Sequence, residues 1–371
     1  MLPDDPVSAA NDLIAKGRAA DAATLLERCM AANRGGLLLR LTLQRAFAAK
    51  GDRDAALAAA RETALLYREA APAALALGEA LRSAGHLPAA VGELQRALRL
   101  DPALLAARVE LGAAWLDAGE AGKALACWRG IRCDEITPEL ALMTADAERA
   151  LASPRSDPRY VRHLFDQFSK DYDARMLAQL AYRAPTILRE FAGLLGLGGP
   201  KRHDILDLGC GTGLMGEAVK DWAQRLDGVD LSPQMIERAR ARNIYDELYV
   251  ADVIAWLAQP GSTYDLIFAA DTIVYIGDLA PLFWAVRARL VEGGIFLFTA
   301  ESQEGSGFGL GPKRRWRHSE TYLRCDAERA RLHVSGLMAC VPRTEAGESV
   351  SGWAVALMKD TPPSSGAQSR P

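Results

Sequence analysis

The stretch that decides the fold is DLGCGTGLMG, residues 207–216, in which two glycine patterns overlap. Gly211, Gly213 and Gly216 have the spacing G-x-G-x-x-G, whereas Gly209, Gly211 and Gly213 have the spacing G-x-G-x-G directly after an acid. Either pattern is typical of a tight turn from a strand into a helix, because glycine permits backbone angles that other residues rarely adopt. The apolar run before the turn and the helical pattern after it predict the first strand and helix of an α/β sheet.

The two patterns point to different ligands. G-x-G-x-x-G is the fingerprint of dinucleotide-binding turns, and G-x-G-x-G behind an acid occurs in enzymes that use S-adenosylmethionine (SAM). Asp230 lies 19 residues after Gly211, where a carboxylate accepts the ribose hydroxyls, but NAD(P) and SAM share that ribose. Asp207 does discriminate, because its charge would repel a pyrophosphate in a partly dry cleft and would suit the sulfonium and ammonium groups of SAM. Asp207 therefore favours SAM, with an NAD(P) oxidoreductase as the alternative.

Short apolar runs continue along the second half of the chain and alternate with helical stretches such as 214–225 and 233–242. Such alternation predicts a parallel sheet covered by helices, with ligands bound at the carboxyl ends of the strands. The final two runs, near 337–345 and 351–359, are joined by a short loop and therefore predict an antiparallel hairpin. Polar residues mark the ends of the earlier strands: Asp207, Asp230, Asp252, Asp271 and a position near Glu301.

Four motifs of a known family stand in order in this half: LDLGCGTG, GVDLS, VADV and YDLIFAADTIVYI. On these residues the segment 160–361 resembles the class I SAM-dependent methyltransferases, which implies a Rossmann-like, seven-stranded sheet with helices on both faces. Three further stretches are similar to bacterial methyltransferases fused to tetratricopeptide repeats and to the methyltransferase-like group of the Williams-Beuren region: LFDQFSKDYDARMLAQLAYRAP (164–185), VYIGDL (274–279) and RTEAGESVSG (343–352). The resemblance implies SAM as the cofactor and leaves the methyl acceptor undefined.

The resemblance also implies a role for each matching residue. Around the methionine part of SAM it places Gly209, Cys210, Gly211, Gly213 and, beside the sulfonium, Asp271. Around the ribose and adenine it places Asp230, Leu231, Asp252 and Val253, with Asp252 accepting from the adenine amino group and Val253 donating its backbone N–H. Tyr172 and Phe165 belong to a lead-in helix that closes over the cofactor. Aspartate is also favoured at helix N-caps, but acids on three successive strand ends favour a shared ligand site.

The first half of the chain repeats with a period of 34 residues. Glycines keep this spacing at Gly17, Gly51, Gly85 and Gly119, and alanines follow in the same register at Ala22, Ala56, Ala90 and Ala124. We expect each of these glycines to end the first helix of a helix pair, and Gly78 and Gly112 to let neighbouring helices approach closely. The period and residue types resemble the tetratricopeptide repeat, which implies a four-repeat helical solenoid over 1–150 with a capping helix at 138–151.

Two prolines in LASPRSDPRY mark a linker at 151–159, and the polar tail 362–371 is expected to be disordered. We expect the groove of the repeat array to bind a protein or peptide partner, with a scaffold or dimerisation surface as the alternative. The predicted function is SAM-dependent methyl transfer to an undefined small molecule or protein. A non-catalytic SAM-binding adaptor or assembly factor is the alternative function.

Composition and charge argue against several other classes. The 371 residues carry a net charge of -3, which provides no overall attraction to nucleic acid or to an anionic membrane. No apolar run is long enough to span a bilayer, and the N-terminus lacks the pattern of a signal peptide. The six cysteines and five histidines show no disulfide framework and no metal-ligand spacing, so we expect a cytoplasmic protein without a metal site.

The sequence identifies no catalytic base. His318 in WRHSETY is expected to be structural, with Ser319 capping the helix that follows. The basic cluster PKRRWR (312–317) could grip an acidic group, but a short basic loop is more often solvated, and that interpretation is favoured. Cys210 has no base near it in the sequence and is expected only to fit its turn. Tyr275 either points into the substrate pocket or packs in the core.

Overall fold

The structure, a computed structural model, describes residues 2–33, 35–168, 172–200, 202–345 and 347–360. The tail predicted at 362–371 lies outside the described residues. The chain divides into two compact units, Met1–Ala152 and Ser153–Pro371. Within the described ranges, no helix is both long and apolar enough to cross a membrane.

Helices joined by short turns make up the first unit as far as the structure describes it. Its helices are α1 (Pro6–Ala15), α2 (Ala19–Ala31), α3 (Leu37–Lys50), α4 (Arg53–Leu66), α5 (Ala71–Ser83), α6 (Leu87–Leu100), α7 (Leu105–Asp117), α8 (Ala121–Trp128) and α9 (Pro138–Ala152). The four glycines of the 34-residue period lie between the two helices of each pair, and all have positive φ: Gly17 74°, Gly51 85°, Gly85 80° and Gly119 70°. The predicted left-handed turns are therefore confirmed.

Two glycines bring the helices of a pair into close contact. A Cβ atom on Gly78 in α5 would lie 2.5 Å from Cγ of Leu94 in α6. A Cβ atom on Gly112 in α7 would overlap the indole of Trp128 in α8. That indole is fixed by the hydrogen bond that its Nε1 donates to the Val109 carbonyl at 3.1 Å. The close approach predicted for both glycines is confirmed.

The second unit alternates strands and helices. Its helices are α10 (Pro158–Phe168), α11 (Tyr172–Gln179), α12 (Ala184–Leu194), α13 (Leu214–Val219), α14 (Pro233–Ala241), α15 (Val253–Leu257), α16 (Ala280–Arg289) and α17 (Glu320–Arg329). Its strands are β1 (His203–Leu208), β2 (Ala223–Asp230), β3 (Glu247–Val250), β4 (Tyr264–Ala269), β5 (Leu290–Ser302), β6 (Phe308–Leu310), β7 (Trp316–His318), β8 (Leu332–Glu345) and β9 (Glu348–Lys359).

The strands form one mixed sheet. The order β3-β2-β1-β4-β5 is parallel, β9 lies antiparallel beside β5, and β8 pairs antiparallel with β9. The order of the chain through the sheet reverses between β1 and β4, and ligands of such sheets bind at this reversal, beyond the carboxyl ends of the strands. The glycine turn follows β1 and Asp271 follows β4, so both stand at this point.

Helices cover both faces of the sheet, as predicted. Along β5, Phe296 and Phe298 pack on one face with α16 and α17, while Ile295 and Leu297 pack on the other face with α12. Burial of alternate residues on both sides is what makes the strands read as continuous apolar runs.

The elements of the second unit differ from the predicted ones at β6 and β7, at α13 and at the start of the hairpin. The seven expected strands are present, but β6 and β7 extend the sheet to nine strands among the described residues. These two strands have three residues each and lie among Gly307, Gly309, Gly311 and Pro312, a composition typical of turns. The helix predicted at 214–225 ends at Val219, because β2 already begins at Ala223. The hairpin is confirmed, with its first strand beginning earlier, at Leu332.

The segment predicted as a linker takes part in the second unit. The backbone N–H of Ser156 donates to the Tyr275 carbonyl at 2.9 Å, and Arg155 forms a β-bridge with Ile276. Pro154 accepts from the N–H groups of Gly277 and Asp278 at 2.9 Å each. These bonds attach the chain from Pro154 onwards to the loop after β4.

Candidate functional site

A cavity of about 540 Å³ lies over the carboxyl ends of the parallel strands. Of the residues named from the sequence, those that line it are Phe165, Tyr172, Gly209, Gly211, Asp230, Leu231, Asp252, Val253, Asp271 and Tyr275. Asp207, Cys210 and Gly213 are not among the described residues that line it. The position of Tyr275, left open by the sequence, is therefore at the cavity wall.

The glycine turn is held in a conformation that side chains rarely permit. Gly209, Gly211 and Gly213 have φ angles of 67°, 55° and 96°. A Cβ atom on Gly209 would overlap the side chain of Thr272, whose hydroxyl donates to the Leu208 carbonyl at 2.9 Å. The turn therefore presses directly against the loop after β4, and the backbone of Gly209 and Gly211 faces the cavity.

Asp207 supports this turn from below. It is 1% exposed, and its Oδ2 accepts from the Gly216 N–H at 3.1 Å and from the Tyr245 hydroxyl at 2.7 Å. Burial raises the pKa of Asp207 to about 7. Both hydrogen bonds engage Oδ2 and join the end of β1 to α13 and to the loop before β3, while the buried Oδ1 has no hydrogen-bond partner among the described residues.

Asp230 ends β2 and connects two loops. Its Oδ2 accepts from the Gly211 N–H at 2.9 Å, and its Oδ1 accepts from the Ser232 N–H at 2.8 Å. Burial raises the pKa of Asp230 to about 6, against the lowering effect of these hydrogen bonds. A carboxylate has about four lone-pair sites, so Asp230 keeps acceptor capacity toward the cavity.

Asp252 combines two functions that the sequence treated as alternatives. It is the N-cap of α15, where its Oδ1 accepts from the Ala255 N–H at 3.1 Å, and it also lines the cavity. The same carboxylate forms an ion pair with Arg155. Asp252 therefore caps a helix and lines the cavity at once, because α15 begins directly after the loop that follows β3.

Asp271 belongs to a buried group of charges at the ends of β4, β5 and β8. It has a positive φ of 57°, and its N–H donates to the Thr299 hydroxyl at 2.9 Å. Arg343, whose side chain is fully buried, pairs with Asp271, with Glu301 and, at 2.9 Å, with Glu345. Burial raises the pKa of Asp271, while Arg343 opposes that rise.

The lead-in segment, residues 153–168 and 172–182, contacts the loops after three strands. Asp173 accepts from the Thr212 hydroxyl after β1 and from Arg242, each at 2.5 Å. Asp166 accepts from the Ser232 hydroxyl after β2 at 2.5 Å. Arg155 pairs with Asp252 after β3. The segment is thus fixed to each loop that carries a cofactor motif.

Aromatic rings of the lead-in segment form part of the cavity wall. The Phe165 ring lies 6.0 Å from that of Tyr172 and 5.6 Å from that of Tyr275, both in edge-to-face geometry. Burial raises the pKa of Tyr275 to about 12 and the pKa of Tyr172 further still. These phenols are therefore neutral over the physiological range.

The basic cluster at 312–317 contributes to the site, contrary to the favoured interpretation of a solvated loop. Lys313, Arg314 and Arg315 line the cavity. The Arg314 guanidinium lies 4.3 Å from the ring centroid of Tyr160, and Lys313 pairs with Glu345 at 2.5 Å. Tyr160 and Glu345, the partners of this cluster, lie far from it in the sequence. The density of basic residues was the only local sign that the cluster belongs to a site.

His318 is structural, as expected. It is buried and its Nε2 lies 3.0 Å from the Gly277 carbonyl. Burial lowers the pKa of His318 to about 4. Ser319 caps α17, accepting from the Tyr322 N–H at 3.2 Å, which confirms that prediction. No group of three or more potential metal ligands occurs among the described residues.

Comparison with known proteins identifies the type of domain. Residues 205–294 match the family model of the methyltransferase domain. The chain is 37% identical over 93 residues to trans-aconitate 2-methyltransferase of Paracidovorax citrulli, covering 24% of this chain and 36% of that protein. It is 35% identical over 113 residues to methyltransferase-like protein 27 of Homo sapiens, covering 30% and 46%. It is 30% identical over 145 residues to a malonyl-[acyl-carrier protein] O-methyltransferase of Acetivibrio thermocellus, covering 38% and 50%.

The chain spans half or less of the length of these curated relatives. The four motifs LDLGCGTG, GVDLS, VADV and YDLIFAADTIVYI lie inside the residues 205–294 that match the family model. The second unit therefore contains a SAM-dependent methyltransferase domain, and SAM is its cofactor.

Proposed function

We propose that this methyltransferase domain transfers a methyl group from SAM to a small molecule that binds beside the cofactor in the same cavity. The observation that carries the proposal is the composition of the cavity, which joins the glycine turn and three strand-end acids to an aromatic and basic wall. Its volume of about 540 Å³ lies within the range of roughly 300–1,000 Å³ that is usual for small-ligand sites. Relatives named for trans-aconitate and for a malonyl-carrier protein support a small acceptor group.

Within this proposal, the residues at the strand ends hold the cofactor. The backbone of Gly209 and Gly211 faces the methionine part, and Asp230 accepts from the ribose hydroxyls with its remaining lone pairs. Leu231 and Val253 flank the adenine, and Asp252 stands at its edge. Asp271 and Tyr172 lie toward the sulfonium. Cys210 and Gly213 contribute by shaping the turn, and Asp207 by fixing it.

The chemistry asks little of the protein beyond alignment. Bound SAM supplies a methyl group on a sulfonium, which is already an activated leaving group. The chain's task is to place the acceptor atom in line with that methyl group and to exclude water, and such alignment is worth about 7–11 kcal/mol. The lead-in segment, attached to the loops after β1, β2 and β3, supplies the closed wall that this requires.

For the first unit we maintain the tetratricopeptide-repeat interpretation, with a groove that binds a protein partner. The 34-residue period, the left-handed glycines between paired helices and the close contacts at Gly78 and Gly112 support it. The six cysteines are unpaired in the structure, which suits the reducing cytoplasm as the location.

Ligand-induced stabilisation tests the proposed cofactor site. SAM or S-adenosylhomocysteine (SAH) at 100 times its dissociation constant should stabilise the protein by about 2.7 kcal/mol, whereas NAD(P) should not. Asp230→Ala should abolish the response, and Asp221→Ala, which removes only an ion pair with Arg189, should retain it. A response to NAD(P) without one to SAM would overturn the proposal.

Transfer is tested with isotope-labelled SAM and two pools, small metabolites and total protein. Label in the small-molecule pool supports the proposed acceptor class. Label confined to protein contradicts it. Binding of SAM without label in either pool favours the non-catalytic adaptor instead.

A further inference from the structure

One wall of the cavity is basic and has an unusual backbone. Lys313 and Arg314 are consecutive residues with φ angles of 61° and 59°, in the left-handed region that costs free energy for residues with a Cβ atom. Such conformations persist where the surroundings fix them, and they concentrate at ligand sites. Here the result is that three successive basic side chains, including Arg315, line one cavity.

This wall lies next to the methionine end of the cofactor site. Arg315 Nη1 is 3.9 Å from Asp271 Oδ2. Asp271 precedes Thr272, whose side chain contacts Gly209 in the glycine turn. A short path of contacts therefore leads from the turn to Arg315, so a group held by Arg315 would be close to the transferred methyl.

Arg315 retains unused hydrogen-bonding capacity. Its Nη1 is buried and lies 3.1 Å from Glu345 and 3.7 Å from Glu301, yet it donates no hydrogen bond to any described residue. A buried guanidinium N–H without an acceptor is costly. An anionic ligand oxygen would supply that acceptor.

The charges that line the cavity cancel before the cofactor binds. Four cations (Arg155, Lys313, Arg314 and Arg315) stand against four carboxylates (Asp230, Asp252, Asp271 and Glu345). A sulfonium bound nearby adds a positive charge, so an acceptor with negative charge is electrostatically favoured.

The two acids of this wall that line the cavity are held by cations, so neither is free to remove a proton from an acceptor. Asp271 is paired with Arg343, and Glu345 forms ion pairs with Lys313, Arg343 and Arg315. Burial raises the pKa of Glu345, but the hydrogen bonds from Lys313 and Arg343 outweigh it and bring the pKa to about 2. An acceptor atom that is already anionic at neutral pH needs no such base.

We infer that the acceptor is an amphiphilic carboxylate, whose carboxylate group is held by Arg315 and is itself methylated to an ester. The inference rests on the proposed function and names the class of its substrate. One carboxylate oxygen forms the new O–C bond, the C–S bond breaks with its electron pair remaining on sulfur, and no proton is transferred. The apolar body of the acceptor lies against Leu164, Phe165 and Tyr160 of the lead-in segment.

The test compares three probes of one shape with the full-length protein and labelled SAM: cinnamate, cinnamamide and cinnamyl alcohol, with octanoate and its amide and alcohol as a second series. We expect label only with the acids. Treatment with alkali should release it as methanol, because esters hydrolyse whereas ethers and N-methyl groups do not. The same treatment of a labelled metabolite extract extends the test to acceptors outside the two series.

Variants connect the result to the wall. Arg315→Gln should raise KM for the acid about 10- to 100-fold, as expected for the loss of a charged hydrogen bond, and Arg315→Lys should recover part of it. SAH binding should be unchanged in both, and Arg324→Gln, which removes an exposed ion pair with Glu320 in α17, should change neither quantity.

The outcomes separate the two proposals. Label that resists alkali, or equal transfer to the alcohol or amide, overturns the carboxylate while leaving the methyltransferase intact. The carboxylate proposal is also overturned if no acid accepts label and no acid stabilises the SAH complex. Absence of SAM binding overturns the proposed function itself.

Discussion

Gly112 has no side chain because the indole of Trp128 occupies the space where one would stand. Replacing Gly112 by Ala should lower the free energy of unfolding by about 1–3 kcal/mol, the usual range for overpacking a core. The indole cannot move away freely, since it donates to the Val109 carbonyl. The measurement is the urea midpoint of the first unit's unfolding transition.

Gly92 provides the matched control for this change. It lies inside α6 with nothing within 4 Å of an added Cβ atom. Gly92→Ala should therefore stabilise the helix by about 0.5–1 kcal/mol. If both variants moved the urea midpoint in the same direction, steric overlap with Trp128 would not be the reason that position 112 requires glycine.

Asp207 predicts a dependence of stability on pH. Burial raises its pKa to about 7 in the folded cofactor-free protein, from about 4 in the unfolded chain. Between these values the folded state keeps a proton that the unfolded state releases, so this residue's contribution to stability falls as pH rises. Asp207→Asn should therefore gain stability relative to the wild type from about pH 4 to about pH 7, measured as the difference between their urea midpoints.

Tyr245 distinguishes this origin from other titrating groups. Its hydroxyl donates to Asp207 and lowers the pKa of that carboxyl, against the larger effect of burial. Tyr245→Phe should therefore extend the fall in stability to higher pH. If the difference between the urea midpoints of the wild type and Asp207→Asn stayed constant over this pH range, Asp207 would be charged throughout it and the prediction would be wrong.

Single residues also show what the sequence could reveal about the site. Asp230 and Asp252 line the cavity, and their place was predictable from the sequence. Spacing locates the ends of the strands, and the carboxyl ends of parallel strands meet at one edge of the sheet. Spacing does not say which groups a carboxylate contacts, so the hydrogen bond that Tyr245 donates to Asp207 could not be predicted. The basic cluster that contains Arg315 was expected to be solvated, because the partners of Arg315, Asp271 and Glu345, come from the ends of other strands.

Among the elements, the lead-in segment predicts a measurable closure. Asp173 joins α11 to both Thr212 and Arg242, so Asp173→Ala removes two contacts with the glycine turn and α14. Amide hydrogen exchange in α11 should accelerate by about two- to tenfold, the equivalent of one net hydrogen bond. SAH should dissociate faster from the variant, as followed by stopped-flow competition.

Arg162→Ala is the control on the same segment, since it removes only the 3.7 Å ion pair with Asp166 inside α10. It should leave exchange in α11 and SAH release as in the wild type. Equal effects of the two changes would mean that the whole segment opens independently of its contacts with the turn.

The elements were predictable to the extent that their periodicity was long enough. β1, β2 and β4 carry buried apolar runs with a polar residue near the end, whereas β6 and β7 have three residues each beside glycine and proline and give no such pattern. The repeat glycines predicted the helix ends most clearly. Few residues other than glycine adopt a left-handed backbone conformation, so each turn of the repeat carries a glycine.

At the scale of the whole molecule, the two units have separate hydrophobic cores. The described residues that line the cavity run from Arg155 to Glu345, all within the second unit. Residues 153–360 alone should therefore bind SAH with an affinity within about twofold of the full chain, as expected for a domain with its own core. Isothermal titration of both proteins measures this.

The start of the fragment decides whether this comparison is fair. A fragment that began at 160, after the linker predicted from the sequence, would lack Arg155 and the backbone bonds of Pro154 and Ser156 to the loop after β4. We therefore expect the fragment 160–360 to bind SAH more weakly than 153–360, because Asp252 loses its ion pair and the loop carrying Tyr275 loses its support. Equal affinity of the two fragments would contradict a role for residues 153–159 in the site, and weak binding by both would contradict the expectation that residues 153–360 bind SAH by themselves.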